Sequence, residues 1–277
     1  MRASAMKSCI QFAALFILCL PAQAQLGLGP HRARAWTNKG VKAFKAGKYP
    51  EAEDDFKRAI KLDSKFKIAV LYLGTTYSYE VVPDLDTPEN LKTADLAIAI
   101  FNQVLTSDPT DITSLKLIAS IYRNSGRMEQ AKEYEKQVIA AAPNEAEGHY
   151  ILGLIDWNLA YRNAVARLKT DGLTDDAVGN LSKSAQACSD LVAANQSLVD
   201  EGIKELTRAT ELQADYSDAM TYLYLMYRRR ADLYCEHPDD RRPDIVTADD
   251  WMQRAMQARK KNSTGEQIAP TEQKSPQ

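Results

Sequence analysis

The chain is poor in the residues from which catalytic and metal sites are built. Three histidines and four cysteines are spread over 277 residues, and the closest grouping of ligand-type side chains is Cys235, His237, Asp239 and Asp240. Zinc would need a second cluster to complete its shell, and only His31 and His149 remain, so a surface loop is the expected reading. There is no Gly-rich phosphate loop, Gly-x-Ser-x-Gly elbow, Cys-x-x-Cys-His haem site or His-Glu-x-x-His motif. The expectation is therefore a protein that is not an enzyme and takes no cofactor. A formal net charge of -2 gives nucleic acid no electrostatic footprint. After the first 20 residues no apolar run is long enough to span a bilayer, which takes roughly 20 residues.

What the chain does contain begins with a leader. Arg2 and Lys7 flank an apolar run, Ile10 to Leu20, and Ala22-Gln23-Ala24 offers small residues for cleavage before Gln25. Residues 1–24 thus read as a signal peptide, and the style of leader points to a bacterial envelope, periplasmic or secreted. Cys9 and Cys19 fall inside it, and Ile17-Leu18 before Cys19 lacks the small residue that lipoprotein processing wants. Cys188 and Cys235 remain, an even count where disulfides persist. They are a candidate bridge, with burial as two small hydrophobes the alternative.

Self-similarity organises the rest. Gly40 and Gly74, Ala97 and Ala131, Ala119 and Gly153, and Pro109 and Pro143 are each about 34 residues apart, and Ala52 to Ala97, Phe56 to Phe101 and Asp63 to Asp108 are about 45 apart. The second spacing is the first plus an insertion of about 11 residues, around Val82 to Pro88. Small residues at Gly40 and Ala52 let two helices approach, Trp36 and Phe56 fill the gap between them, and Ala46-Gly47-Lys48 supplies the turn.

With Trp36, Gly40, Gly47, Tyr49, Ala52, Phe56, Ala59 and Ile60 in its pattern, residues 36–63 resemble the tetratricopeptide repeat family. Later stretches around Leu73-Gly74-Tyr77 and Leu115 to Pro143 do so as well. The resemblance implies an all-α fold, a right-handed solenoid of antiparallel helix pairs with an inserted helical hairpin. The domain spans residues 25–261, in units of about 33–66, 67–111, 112–145, 146–216 and 217–261, and residues 262–277 form a polar, disordered tail.

The fourth unit departs from the pattern. Leu152 and Gly153 open it, but its closing residues, Gly202, Leu206 and Ala209, come roughly 37 residues late. Val178, Leu181, Ala185, Cys188, Val192, Val199, Leu206 and Ala209 step by threes and fours, with Asn195 and Gly202 as weak members, and make a helical seam. Its partner is the helix through Leu154, Trp157, Tyr161, Val165 and Leu168, stopped at Gly172, with Thr174 a candidate cap for the next helix. The expected result is a helical hairpin over about 157–200, projecting from the stack or folding across its groove.

In a stack of helix pairs the first helix of each pair lines the inner groove. The candidate partner-binding residues are therefore Tyr72, Thr75, Lys116, Ser120, Arg123, Asn124, Tyr150, Leu154, Trp157, Asn158, Tyr222 and Arg228. Aromatic, apolar and cationic groups together fit an extended or helical segment of a protein partner. The bland alternative is that Tyr72, Tyr150 and Tyr222 are packing residues. The carboxylate clamp of some family members is missing, because Thr37, Val41, Leu71 and Tyr72 stand at its positions. Arg228-Arg229-Arg230 with Arg241-Arg242 reads as a helix end paired with nearby Asp232, Glu236 and Asp239, with a basic patch for phosphate or an acidic protein as the alternative. The resulting expectation is an exported scaffold or adaptor. A soluble receptor enclosing a small apolar ligand between groove and arm is the other reading.

Overall fold

The computed structural model describes residues 29–174, 184–234 and 238–264. The expected signal peptide, the expected tail beyond Thr264 and the segment Cys235 to His237 lie outside them. Every regular element among the described residues is helical. They are α1 (Gly29–Lys45), α2 (Tyr49–Leu62), α3 (Lys67–Glu80), α4 (Pro88–Ser107), α5 (Ile112–Asn124), α6 (Met128–Ala141), α7 (Ala146–Thr170), α8 (Ala185–Leu212), α9 (Ser217–Asp232) and α10 (Arg242–Thr264), with a 3₁₀ turn at Pro238–Arg241. Two compact units are present, the first ending at Thr76 and the second beginning at Tyr77.

In the first unit α1 and α2 pair closely. The turn between them depends on Gly47 at φ 71°, a conformation that costs other residues strain. It lets the Lys48 amide reach back to the Ala43 carbonyl at 3.0 Å and close α1. Gly126, also at φ 71°, closes α5 in the same way, with the Arg127 amide donating to the Tyr122 carbonyl at 2.9 Å. Pro50 stands in the first turn of α2 and Pro88 in that of α4, where the missing N–H costs nothing.

Small residues on one helix face bulky ones on the next. A Cβ on Gly40 would lie 2.6 Å from the Phe56 ring, and Phe56 is fully buried. In the second unit a Cβ on Gly153 would lie 2.4 Å from Leu206 Cγ. The two pairs are the same repeat position. Leu206 takes the place of Phe56, reached about 37 residues late because the chain first builds the arm. The pairs α5/α6, α7/α8 and α9/α10 stack through α6 on α7 and α8 on α9. This is the all-α arrangement of antiparallel helix pairs with an inserted hairpin that the sequence implies.

The arm is the extension of α7, 25 residues, against α8, 28 residues. Along α8 the seam residues Cys188, Val199, Leu206 and Ala209 are buried, joined by Ala187 and Leu191, whereas Ala185 is exposed. The two weak members have specific roles. Asn195 is fully buried, accepts from Asn163 Nδ2 at 2.9 Å and donates to the Ala160 carbonyl at 2.9 Å, so it fixes the register of α8 on α7. Gly202 lets Asp156 and Met226 approach. Ser184 caps α8, its hydroxyl accepting from the Ala187 amide at 3.2 Å. Thr174 is described but lies at the edge of residues 175–183, which fall outside the described set together with Val178 and Leu181 of the seam. The insertion in the second unit is shared between a loop at residues 81–87 and a helix, α4, of 20 residues where α2 has 14.

The glycine contacts set a graded test. Gly153→Ala meets a branched carbon of a fully buried leucine and is expected to destabilise by about 1–3 kcal/mol. That outweighs the roughly 1 kcal/mol that alanine gains over glycine in a helix. Gly202→Ala meets mainly the terminal methyl of Met226, which can turn away, so its cost should be smaller. Urea unfolding of both variants beside the parent measures the difference; equal costs would refute this account of the helix pairs.

Candidate functional site

The first helices of successive pairs in the second unit bring an aromatic row together. Tyr150 on α7 touches Tyr216, which directly precedes α9, at 4.9 Å between ring centroids, and Tyr222 on α9 at 5.9 Å. Tyr222 meets Trp157 edge-on at 5.5 Å, and Trp157 stacks on Tyr161 at 5.2 Å with the planes 9° apart. The Arg229 guanidinium lies 5.8 Å from the Tyr161 ring. Tyr150, Trp157, Tyr216 and Tyr222 are half-buried against the core cluster that includes Leu206, Leu223 and Met226, and burial pushes the Tyr150 and Tyr216 phenols up to about 12. Tyr161 is 40% exposed. The packing role and the surface role thus belong to the same rings.

Of the candidate residues, Tyr150, Trp157 and Tyr222 are in mutual contact, directly or through one another. Tyr216, Tyr161 and Arg229 complete the row and were missed. Trp157 and Tyr161 are spaced i, i+4, the distance at which rings on one helix face meet, and that spacing was the available signal. Asn158 donates to the Leu154 carbonyl at 3.0 Å, so its amide serves its own helix. Arg228 lies 5.8 Å from the Tyr224 ring. Tyr72 and Thr75 belong to the first unit. There Tyr72 stacks on Phe56 at 5.4 Å and meets Phe44 edge-on at 6.2 Å, and the Thr75 hydroxyl donates to the Leu71 carbonyl.

On α5, Lys116 is held by Glu145 at 2.5 Å and Glu147 at 3.1 Å. Ser120, Arg123 and Asn124 are half-buried, and the Asn124 carbonyl accepts the Asp84 amide at 2.9 Å. Near Lys116 and Arg123 sits Glu135, only 4% exposed. It occupies the repeat position that holds Phe56, Phe101 and Leu206 elsewhere. Burial pushes its carboxyl up to about 7, against the pull of Arg123 and Lys116.

Further ionisable groups join α6 to the arm. Lys132 bridges fully buried Asp156 at 2.5 Å and Glu201 at 2.7 Å, and Lys136 adds a contact to Glu201 at 3.2 Å. Burial pushes Asp156 up to about 6, against the pull of Lys132. One turn along α8 from Glu201, Glu205 lies 2.6 Å from His149 Nδ1, whose Nε2 lies 3.0 Å from the Pro143 carbonyl.

Cys188 is disulfide-bonded; Cys235, its candidate partner, lies outside the described residues. No group of three or more His, Cys, Asp or Glu side chains able to hold a metal occurs among the described residues. Within the arginine run, Arg229 pairs with Asp232 at 3.4 Å, and Arg230 forms a two-pronged bridge to Asp244 at 2.6 and 2.8 Å. The acid on Arg230 is thus Asp244 rather than any of those closer in sequence. A recess of about 370 Å³ lies between α7 and α8, lined by Asn163, Ala166, Arg167, Thr170, Asp190, Leu191 and Ala194. It includes none of the groove residues.

Residues 33–66 and 114–145 each match the tetratricopeptide repeat family. No curated protein sequence matches the chain. Among solved structures, that of the MamA protein shares 15% identity over 88% of this chain and 99% of its own, with a TM-score of 0.55. A MamA fragment from Desulfovibrio magneticus RS-1 shares 15% identity over 83% of this chain and 96% of its own, with a TM-score of 0.52. At that identity the likeness is one of fold.

Glu135 gives a pH test. Its folded pKa, about 7, lies above the usual value, so between roughly pH 4.5 and 7 the folded chain binds more protons at this site than the unfolded chain does. The stability that this group adds is complete below that window and is lost as pH rises through it. Glu135→Gln should therefore be more stable than the parent by about 1–3 kcal/mol at pH 8, with the gap closed near pH 4. Urea unfolding at the two pH values decides it; a gap that does not change with pH would refute the assignment.

Proposed function

We propose that the chain is an exported interaction scaffold that holds a protein partner, an extended or helical segment, along the aromatic row of α7 and α9. The observation that carries this reading is the continuity of Tyr150, Tyr222, Trp157 and Tyr161 on the first helices of consecutive pairs, extended by Tyr216 just before α9, with Arg229 closing one end. Tyr and Trp present large, rigid contact area and are the residues on which binding energy concentrates. The tetratricopeptide matches support a non-catalytic, protein-binding role.

The cationic side of the groove is selective. Lys116 is already engaged by two glutamates, which leaves Arg123 as the α5 cation with no ion-pair partner among the described residues. Below it Glu135 ionises near neutrality and then competes with any acidic group of the partner for Arg123. An acidic partner group at this position is held better at pH 6 than at pH 8.

Export rests on the leader together with the disulfide at Cys188, since such bonds persist in oxidising compartments. Cys235 is the proposed partner, which would fasten the arm to the connection between α9 and α10. The bridge predicts that denatured, unreduced protein from its own compartment has no reactive thiol outside the leader and gains two on reduction.

Photo-crosslinking in the native envelope from positions 161 and 222, followed by mass spectrometry, tests the scaffold. The same protein partners should be captured from both positions, and Tyr161→Ala should weaken the complex about tenfold or more. Capture of none from either position, or co-purification of a small apolar ligand with ligand-dependent melting, would overturn it.

A further inference from the structure

We infer that the exposed face of α1 is an electrostatic contact for an anionic bilayer surface. α1 holds five Lys and Arg and not one Asp or Glu. Its buried residues are Ala33, Thr37, Gly40 and Ala43. Directly opposite, His31, Arg34, Asn38, Lys42 and Lys45 follow one another at steps of three and four, and all five are exposed. At 1.5 Å per residue the stripe is about 21 Å long, with Arg32 and Lys39 beside it.

Two features set this stripe apart from an ordinary solvated face. Arg32 stands in the first turn of the helix and Arg34 just beyond it, where the helix dipole disfavours cations and favours acids; the first turn contains no acid. The positive charge is also local. Residues 29–76 carry 11 Lys and Arg against 5 Asp and Glu, whereas residues 77–264 carry 21 against 30. Lys39 is bridged to Asp55, but Arg32, Arg34, Lys42 and Lys45 have no ion-pair partner among the described residues.

A bilayer fits this face better than a folded partner does. The stripe is straight and presents no large apolar side chain, so it offers no knob for a socket. A plane of negative headgroups meets all its charges at once, without matched spacing. The apolar run Ile10 to Leu20 also precedes α1 by only eight residues, so in the export proposed above α1 is the first part of the repeat array to stand at the membrane.

The test is co-sedimentation of the full chain with vesicles of phosphatidylcholine alone and of phosphatidylcholine with phosphatidylglycerol. The leader, with Arg2 and Lys7 beside its apolar run, adds a background that is the same for every variant, so the comparison between variants isolates α1. The expected result is an excess on the anionic vesicles, abolished by 0.5 M salt, because a surface attraction is screened within a few ångströms there. Arg34→Ala, Lys42→Ala and Lys45→Ala together should reduce that excess about a hundredfold, at about fivefold per charge. The same loss of charge elsewhere, by Lys92→Ala, Arg162→Ala and Lys169→Ala, should leave most of it. Unchanged circular dichroism in both triple variants keeps folding out of the comparison. Equal binding to both vesicles, equal effects of the two triple variants, or equally tight retention on polyglutamate would each overturn the inference. The last outcome would assign the face to an acidic protein.

Discussion

The stacking of this fold depends on how closely two helices can approach at one repeat position. Gly40 against Phe56 and Gly153 against Leu206 leave no room for even a methyl group, and the bulky partner is fully buried in both cases. A helix pair packed in this way still has one apolar face uncovered, and burying that face requires the next pair. Close approach therefore forces the stack, and the stack in turn lines up the first helices α5, α7 and α9 in the second unit. The aromatic row follows from that alignment, since Tyr150, Trp157 and Tyr222 come from different pairs or different turns and meet only because α7 and α9 run side by side.

The arm adds a second constraint, met with polar rather than apolar chemistry. A long two-helix seam of small and aliphatic residues could slip by one turn at little cost. Asn195, bonded to Asn163 and to the Ala160 carbonyl, penalises such a slip, because moving it would leave a buried amide unpaired. Lys132 does the same between α6 and the arm by engaging Asp156 and Glu201 together. Buried ion pairs contribute little net stability, yet removing one partner costs several kcal/mol. Their value here is positional, holding α7 where its rings face α9.

Much of this was legible in the residues. The spacings of about 34 and 45 gave the helix pairs, and the late return of Gly202, Leu206 and Ala209 gave the arm, because repeat positions are constrained by volume and volume is visible in residue type. Tyr150, Trp157 and Tyr222 could be named from their place on first helices. What stayed hidden were departures carried by single residues within a good pattern. Glu135 lies in a unit whose other positions match well, and a search for matches passes over the one slot filled by a carboxylate. Tyr216 was hidden differently, because it precedes α9 and belongs to no helical face. The pairing of Arg230 with Asp244 across the connection depends on a turn whose geometry periodicity does not describe.

In the scaffold proposed above, the half-buried state of the aromatic row also limits how a partner is read. Rings that pack on Leu206, Leu223 and Met226 are held in place before any partner arrives, so binding orders few side chains and little conformational entropy is lost. In the proposed scaffold, recognition rests on the relief of a preformed ridge, with Tyr161 as its most exposed member, rather than on a clamp of mobile charges. The same arrangement makes a full truncation of Trp157 ambiguous, since it would remove core packing together with contact area. Tyr161 separates the two roles: it stacks on Trp157 but stands outside the buried cluster, so its loss subtracts from the ridge while the helices beneath remain packed.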